Sequence, residues 1–373
     1  MMHRRTWLGH SGAWVASWAG IAGAAALVSK TAMALPPRTL VFPRDRGAHP
    51  ELRTEWWYIT GHAVTLGTNS QRREFGFQLT FFRTRVDAAQ SMQSRFAAKQ
   101  LLFAHAAITD LQGKKLVHDQ RIARSGFGIA EASQTDMDVR LRDWSLKAEG
   151  NRYTARLPAN GFDIALEFVE TQPVLLQGQQ GLSRKGPDPA QASYYYSQPQ
   201  LAVKGALTLA NQRFAVNGTA WLDHEWSEAI LHPEAVGWDW IGMNLEDGSA
   251  LTAFRLRKAA TQNSGPTDAL WAGGSFRTRA GDLQIFSPES VQFKPLRFWK
   301  SPASQTVYPV AWQITTPAGI FTVESLLDSQ ELDSRSSTGA IYWEGLSDLR
   351  SADGKRIGRG YLEMTGYAAP LRM

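Results

Sequence analysis

The chain has 373 residues, of which 43% are hydrophobic and 11% aromatic, and a net charge of +6 at pH 7. Its lysines and arginines are scattered rather than clustered, which argues against a nucleic-acid surface. It contains no cysteine. This excludes a cysteine nucleophile, a thiolate metal site and a cysteine-bound iron–sulfur cluster.

Residues 1–34 have the pattern of a cleavable signal peptide. Arg4 and Arg5 precede an apolar run over 12–28 that is rich in Ala and Gly, and small residues at Ala32 and Ala34 form a cleavage site. An uncleaved membrane anchor is the alternative reading. We expect cleavage near Ala34 and a periplasmic or secreted product. The arginine pair also resembles a twin-arginine signal, with Sec export as the alternative.

Beyond the signal, the sequence is a succession of short runs rich in aromatic and β-branched residues, separated by turn pairs such as Gln112-Gly113 and Asp353-Gly354. Such spacing without intervening helices predicts antiparallel sandwiches or barrels. At most, residues 90–99 form a short helix, and residues 177–193 are predicted to be a long loop.

The number of predicted strands favours two domains rather than one. We predict an all-β fold of two lipocalin-like, calycin-type antiparallel domains. The first is expected over residues 35–228 and the second over residues 229–373.

Three clusters combine Trp or Tyr with an acid or a His inside predicted strands. They are Glu55-Trp56-Trp57-Tyr58, then Asp223-His224-Glu225-Trp226 with Trp238-Asp239-Trp240, and Tyr342-Trp343-Glu344. Strand alternation places His224 and Trp226 on one face and Asp223 and Glu225 on the other. In an apolar cavity, burial shifts the pKa of such groups toward the neutral form, which suits a general acid or base. The catalytic candidates are His224, Glu225, Asp223, Asp239 and Glu55, and we hypothesise that His224 faces the cavity.

Each cluster also has a purely structural interpretation. Trp56 or Trp57 could pack a barrel core, and Glu55 could pair with Arg83 or Arg85. Asp223 and Asp239 could cap turns. A metal bound by His224 with His232, His105 or His62 has no recognisable ligand spacing, so no metal or cofactor is expected. The chain lacks a Gly-x-Ser-x-Gly elbow and a Gly-rich phosphate loop, which disfavours a serine hydrolase and a dinucleotide enzyme.

These motifs resemble the AttH-like / carotenoid 1,2-hydratase (CrtC-type) family of lipocalin-like proteins, in order and over the whole chain after the signal. The matching segments are His49-Pro50, Thr54-Glu55-Trp56-Trp57-Tyr58, Tyr195-Tyr196-Ser197, Trp221-x-Asp223-His224-Glu225-Trp226, Trp238-Asp239-Trp240, Tyr342-Trp343-Glu344-Gly345 and Gly360-Tyr361-Leu362-Glu363-Met364-Thr365-Gly366-Tyr367.

The resemblance implies two calycin-like domains and points to lipophilic substrates. One branch of the family hydrates a terminal C=C of acyclic carotenoids, and a fungal branch steers cyclisations of polyketide-derived molecules. The bacterial branch that this chain most resembles is often described only as predicted secreted hydrolases and tends to accompany ABC-transporter permeases. The carotenoid enzymes pair a His-x-Trp with a later Tyr-x-Asp. His224-x-Trp226 matches the first half, but only Trp238-Asp239 loosely replaces the second.

The resemblance and the clusters together favour a hydratase- or isomerase-type enzyme acting on a terpenoid- or polyketide-like molecule. The alternative is a non-enzymatic carrier of a lipophile that works with an ABC-transporter permease. In either case we expect a Trp-lined cavity near the domain interface. Its ligand-binding residues are predicted to be Trp56, Trp57, Tyr58, Tyr196, Trp226, Trp238, Trp240, Tyr342 and Glu344.

Overall fold

The computed structural model describes residues 34–67, 72–259 and 269–371. The predicted signal over residues 1–34 therefore lies outside the described residues except for Ala34. Among the described residues, no helix is long and apolar enough to span a membrane. The helical elements that the described part contains are 3₁₀ turns at Arg44–Arg46, Asp87–Ala89 and Pro288–Ser290.

The fold is all-β, as predicted, and consists of two antiparallel sheets. The first sheet contains β1 (Thr54–Thr65), β2 (Glu74–Arg85), β3 (Gln100–Asp110), β4 (Lys115–Arg124), β5 (Ala130–Ala132), β6 (Asp138–Leu141), β7 (Trp144–Glu149), β8 (Arg152–Ala159), β9 (Phe162–Val169), β10 (Leu175–Leu176), β11 (Leu182–Arg184), β12 (Ala192–Leu209) and β13 (Gln212–Ala229).

Its strands follow the order β4-β3-β2-β1-β13-β12-β9-β8-β7-β6-β5, with β10 and β11 paired to β12. Strands β3 and β4 contact β6, so the sheet curls almost into a closed barrel. Inward-facing aromatic and aliphatic side chains fill it, among them Trp57, Phe77 and Phe168.

The second sheet contains β14 (Ala235–Leu245), β15 (Ala250–Lys258), β16 (Ala269–Arg277), β17 (Leu283–Phe286), β18 (Gln292–Lys300), β19 (Val307–Thr316), β20 (Gly319–Ser325), β21 (Glu331–Ser334), β22 (Ala340–Arg350) and β23 (Arg356–Met364). The order is β17-β16-β15-β14-β23-β22-β20-β19-β18, with β21 paired to β22. Its own core includes Met243, Trp312 and Trp343.

The outer strands of the first sheet show why the sequence forms strands here. In β9, buried and partly exposed residues alternate without interruption from Phe162 to Val169, which is the pattern of a sheet with one face on a core. The central strand β13 differs, because every residue from Ala220 to Ser227 is buried. Both of its faces are therefore covered, one by the barrel core and the other by the second sheet.

A third hydrophobic cluster joins the two sheets. It is formed by Tyr58 and Trp221 from the first sheet and Trp240, Phe254 and Tyr361 from the second. The chain passes from one sheet to the other between Ala229 and Ala235, close to the boundary expected after residue 228. The division into two domains, over residues 35–228 and 229–373, stays a prediction.

Two local expectations differ from the structure. Residues 90–99 form turns and irregular chain rather than a short helix. Residues 177–193 are not one continuous loop, because they contain β11 and the start of β12. β11 pairs with β12 through Leu182 and Tyr194, so part of this segment is held by ladder hydrogen bonds.

A candidate active site between the two sheets

Strands β1 and β13 present two chemically different faces. Their register pairs Trp57 with His224 and, one step on, Tyr58 with Asp223. Because side chains alternate along a strand, Trp57 and His224 point into the barrel, whereas Tyr58 and Asp223 point toward the second sheet. The sequence prediction that His224 and Trp226 share one face, opposite Asp223 and Glu225, agrees with this register.

The inner face carries a buried ionic network centred on Glu55. One carboxylate oxygen of Glu55 accepts a hydrogen bond from Arg83 Nε at 2.7 Å. The other accepts from His49 Nδ1 at 2.7 Å and from His224 Nε2 at 3.0 Å. Burial alone would raise the pKa of Glu55, but the bonds from His224 and His49 and the charge of Arg83 hold it well below its usual range. The predicted pairing of Glu55 with Arg83 is thus present.

His224 lies within this network and not in the cavity between the sheets. Burial is the main cause that lowers the pKa of His224 to about 4, so its imidazole is neutral at pH 7. Its ring stacks on Trp57 at 4.9 Å between centroids, while His49 stacks on Trp226 at 3.9 Å. The hypothesis that His224 faces the cavity is therefore wrong, because the face of β13 that lines the cavity carries the neighbouring residues Asp223 and Glu225.

The same network could be taken for a metal centre. Ligand atoms of His49, Glu55 and His224 lie within 4.8 Å of one another, and two imidazoles with a carboxylate are a donor set that suits zinc. However, Arg83 donates directly to Glu55 and also to the carbonyl oxygens of His49 and Leu52. A buried guanidinium on the bridging carboxylate already supplies the positive charge that a metal ion would bring. The donor set thus fits an ion-pair network better than a metal centre.

The outer face of β1, β12 and β13 forms one wall of a cavity of about 410 Å³ between the two sheets. Its walls are mainly aromatic and aliphatic. They comprise Trp56, Tyr58, Phe82, Leu101, Phe103, Ile122, Tyr195, Ile230, Leu231, Trp238, Trp240, Phe254, Leu256, Tyr342 and Leu371. Trp240 is fixed in place because its indole lies over Gly242, where any Cβ would clash with the ring. The volume falls within the range of small-molecule sites.

Asp223 is the first of several acids in this cavity. Its carboxylate accepts hydrogen bonds from the hydroxyls of Tyr195 at 2.7 Å and Ser197 at 2.5 Å, and from the Trp221 indole at 2.7 Å. Burial nevertheless raises the pKa of Asp223 to about 7, since these bonds offset only part of the desolvation and no cation among the described residues pairs with it.

Glu344 and Glu363 form a second acidic pair. They are directly opposite each other on β22 and β23, so their side chains share the cavity face. Glu344 is buried and accepts a hydrogen bond from Tyr58 Oη at 2.6 Å. Burial and the neighbouring Glu363 charge raise the pKa of Glu344 well above its usual range. Burial, with the charges of Asp223 and Glu225, raises the pKa of Glu363 to about 7. The pair therefore holds at least one proton at neutral pH.

Lys185, a cationic side chain that lines the cavity, is already paired. Lys185 Nζ lies 2.8 Å from Glu225 and also over the rings of Tyr195 and Phe254, at 4.6 and 4.3 Å from their centroids. Glu225 further accepts a hydrogen bond from Ser193. Lys185 thus neutralises Glu225 and leaves the other carboxyls to be neutralised by protons.

His105 contributes a neutral imidazole on the opposite side of the cavity. Its Nδ1 lies 2.9 Å from Tyr342 Oη and its Nε2 lies 2.8 Å from Ser337 Oγ. Burial lowers the pKa of His105 to about 3. The imidazole and the Tyr342 hydroxyl therefore form a neutral hydrogen-bonded chain that can position a polar atom of a ligand.

The structure places the sequence-predicted site residues in three different environments. Those with side chains at the cavity are Asp223, Glu225, Trp56, Tyr58, Trp238, Trp240, Tyr342 and Glu344. Four others are buried in the first barrel instead, namely Trp57, Tyr196, Trp226 and His224. The carboxylate of Glu55 also lies there, although Glu55 borders the cavity wall as well. Asp239 points into the second sheet, where it pairs with Arg255 at 2.7 Å and accepts a bond from Tyr367 at 2.9 Å. Its expected place in the site is therefore wrong.

Sequence reasoning missed three cavity groups. Glu363 stands between the buried Leu362 and Met364, and this alternation could have marked it as facing another environment. Tyr195 could have been found in the same way, because Tyr196 alternates to the barrel core. Lys185 follows a three-residue strand and offers no periodic signal.

The fold and this cavity define a two-sheet, lipocalin-like protein with a lipophilic pocket at the sheet interface. The chain belongs to the AttH-like family, whose family model matches residues 33–367. A search of curated proteins found no match.

Solved structures agree with this assignment. The chain is similar to an AttH protein from Nitrosomonas europaea, with 44% identity over 90% of this chain and 100% of that one and a TM-score of 0.81. It shares the fold of kievitone hydratase from Nectria haematococca, at 15% identity over 88% and 93% of the two chains and a TM-score of 0.66. It also shares the fold of CghA, at 12% identity over 90% and 94% and a TM-score of 0.51.

Proposed function

We propose that this protein is a hydratase- or isomerase-type enzyme that protonates a C=C bond of a lipophilic, terpenoid- or polyketide-like molecule in the cavity between the sheets. The observation that carries the proposal is the set of carboxyls with raised pKa values, Asp223, Glu344 and Glu363, in a cavity with mainly aromatic and aliphatic walls. A carrier of a lipophile needs the aromatic lining but not the acids. The hydratase among the proteins of the same fold supports the same class of reaction.

Glu363 is the general acid in this mechanism. It is less buried than Glu344, and a pKa of about 7 leaves about half of its carboxyl groups protonated at neutral pH. Glu344, which accepts a hydrogen bond from the Tyr58 hydroxyl, stays neutral. A neutral Glu344 raises the pKa of Glu363 less than a charged carboxylate would. Transfer of the Glu363 proton to one alkene carbon leaves a carbocation at the other.

The indoles of Trp56, Trp238 and Trp240 line the space where this cation forms, and their π-faces stabilise positive charge. Asp223, with Tyr195 on its carboxylate, then orients a water molecule and takes up its proton as the new C–O bond forms. Loss of a proton from the cation to the same carboxylate would instead complete an isomerisation. After either reaction Glu363 is ionised and Asp223 carries the proton, and exchange of one proton between them through solvent restores the starting states.

The rival function is a non-enzymatic carrier that passes a lipophile to an ABC-transporter permease. The preponderance of aromatic and aliphatic walls favours it, because such walls bind a lipophile without chemistry. The two proposals differ in their dependence on Glu363.

The test begins with native mass spectrometry of the purified protein and a solvent extract, which identifies any bound molecule. That molecule and a panel of acyclic terpenes and polyenes are then incubated with the protein in ¹⁸O-labelled water. A hydratase yields a product heavier by one labelled water. We expect Glu363→Gln to lower turnover by roughly 10²–10⁴-fold with little change in ligand affinity.

Trp240→Ala provides the matched comparison, because it removes lining without removing an acid. It should weaken binding in both proposals. Recovery of the ligand unchanged, together with full binding by Glu363→Gln and weak binding by Trp240→Ala, would establish the carrier and refute the enzyme.

A further inference from the structure

An exposed aromatic and basic patch lies at the rim of the cavity and has no role in the mechanism above. Phe96 and Phe127 are 65% and 47% exposed, yet their rings stack on each other with centroids 5.7 Å apart and planes 6° apart. We call these two rings, with Arg95 and Arg124, the rim patch. The stacked rings leave a contiguous apolar area exposed to water, and such areas often mark a surface that another molecule covers.

The backbone holds one of these rings outward at a cost. Phe127 has a φ of +61° and stands between Gly126 and Gly128, which also have positive φ. A bulky residue rarely adopts this left-handed conformation, and such strain often marks a functional segment. Arg124 ties the two segments together by donating a hydrogen bond to the carbonyl oxygen of Phe96 at 2.6 Å.

The patch is positively charged. Residues 88–109 and 120–130 contain Arg95, Lys99, Arg121 and Arg124 and no acidic residue. Arg95 and Arg124 lie over the two rings, with Arg124 4.2 Å from the centroid of Phe127. Within the described part of the chain, neither arginine pairs with a carboxylate, whereas Arg121 pairs with Asp143.

The patch is continuous with the cavity. Ile122 lines the cavity and Arg124 follows it on the same face of β4, since side chains two apart share a face. Across the ladder, Leu101 also lines the cavity and pairs with Arg124. A molecule leaving the cavity along this face therefore meets the two phenylalanines and the arginines directly.

From these observations we propose that the rim patch docks on an anionic lipid surface, so that a lipophilic substrate enters the cavity from the membrane without crossing water. Exposed aromatic rings with flanking arginines have the chemistry of an interfacial membrane anchor, in which rings enter the headgroup region and cations meet anionic lipids. The inference rests on the proposed function for the nature of the substrate.

Vesicle co-sedimentation tests the docking. The probes are vesicles of phosphatidylglycerol and phosphatidylcholine in equal parts, and vesicles of phosphatidylcholine alone. The chain starts at Leu35, as after the predicted cleavage, so that the apolar run of the signal does not bind lipid itself. We expect binding to the anionic vesicles that weakens with salt, and little binding to the neutral ones.

Three variants locate the contact, each checked for native folding by circular dichroism. Phe96→Ser with Phe127→Ser should lower the partition coefficient by about tenfold or more, because two half-exposed rings no longer enter the interface. Arg95→Gln with Arg124→Gln should lower it by about thirtyfold, the effect of two interfacial charges. The control is Phe298→Ser on β18, which removes a 59% exposed ring that does not line the cavity, and it should change nothing.

Failure of the wild-type chain to bind anionic vesicles, or an equal loss in Phe298→Ser, would overturn the docking. A concentration-dependent dimer that disappears in Phe96→Ser with Phe127→Ser would overturn it in favour of a second copy of the chain. Glu363→Gln should bind vesicles like the wild type, so docking and catalysis fail separately.

Discussion

Replacement of Glu363 by Gln should make the protein more stable at alkaline pH, and this needs no substrate to measure. The folded protein raises the pKa of Glu363 from 4.5 to about 7, so between these values the folded state binds a proton that the unfolded chain has released. The contribution of the protonated Glu363 carboxyl to the free energy of unfolding is therefore fully present below about pH 4.5. It is lost as pH rises through about 7. Gln cannot ionise and avoids the loss.

The size of the effect follows from the pKa difference. A tenfold change in proton affinity corresponds to about 1.4 kcal/mol, which sets an upper limit of about 3 kcal/mol for this carboxyl. Its partial exposure to the cavity reduces the figure, so we expect a gain of about 1–3 kcal/mol at pH 8 and almost none at pH 4.5.

The assay is urea unfolding followed by tryptophan fluorescence at several pH values between 4.5 and 8, for the wild type and for Glu363→Gln. Glu246→Gln is the control, because that carboxyl is half-exposed in an ion pair with Arg356 on the surface of the same sheet. Its pH profile should parallel the wild type within a few tenths of a kcal/mol. If the curve of Glu363→Gln also parallels the wild type, Glu363 is ionised in the folded state, and it loses its role as the general acid.

Three other predictions can be tested, the first two from the structure and the third from the sequence. Trp57→Ala should cost about 3–5 kcal/mol of unfolding free energy, because the indole is fully buried. Trp56→Ala should cost much less, since that ring faces the cavity. Equal melting temperatures of the two variants would contradict the placement of the two rings on opposite faces of β1. His224→Gln should lower the melting temperature by weakening the Glu55 network while leaving ligand affinity nearly unchanged, as measured by calorimetry of unfolding and of binding; a ligand-affinity loss without destabilisation would return it to the site. If export uses the twin-arginine route, changing Arg4 and Arg5 to Lys should leave precursor in the cytoplasm, as fractionation with immunoblotting would show. An unchanged periplasmic yield would contradict that route.

The fold could be predicted from the sequence because its signals are local. Strand alternation in segments such as β9 is set by one buried and one exposed face. The same rule placed His224 with Trp226, and Asp223 with Glu225, on opposite faces of β13. These pairings follow from the covalent geometry of an extended chain.

Which face meets the cavity could not be predicted, because both faces of β13 are buried between Ala220 and Ser227. A strand that is buried on both sides shows no contrast in polarity between its two faces. Alternation therefore sorts the residues onto two faces but does not tell which face lines the cavity. The choice is decided by partners outside the strand: Arg83 and His49, from the start of the chain, on one face, and the second sheet on the other. The same reason hid Lys185, whose contacts with Glu225 and Phe254 join three distant segments.

The contrast between Glu55 and Asp223 explains how one pair of strands supports both stability and chemistry. Both carboxyls are buried and both accept three or more hydrogen bonds, yet the pKa of Glu55 is lowered and that of Asp223 is raised. The difference lies in the partners: two imidazoles and a guanidinium donate to Glu55, whereas two hydroxyls and an indole donate to Asp223. Arg83 lies 2.7 Å from Glu55, whereas Lys185, which also lines the cavity, is held by Glu225. A paired carboxylate is fixed in its charged form and stabilises the barrel, while an unpaired one in an aromatic cavity exchanges a proton near neutral pH. The proposed chemistry at the sheet interface thus depends as much on carboxyls that no cation among the described residues pairs with as on the number of acids there.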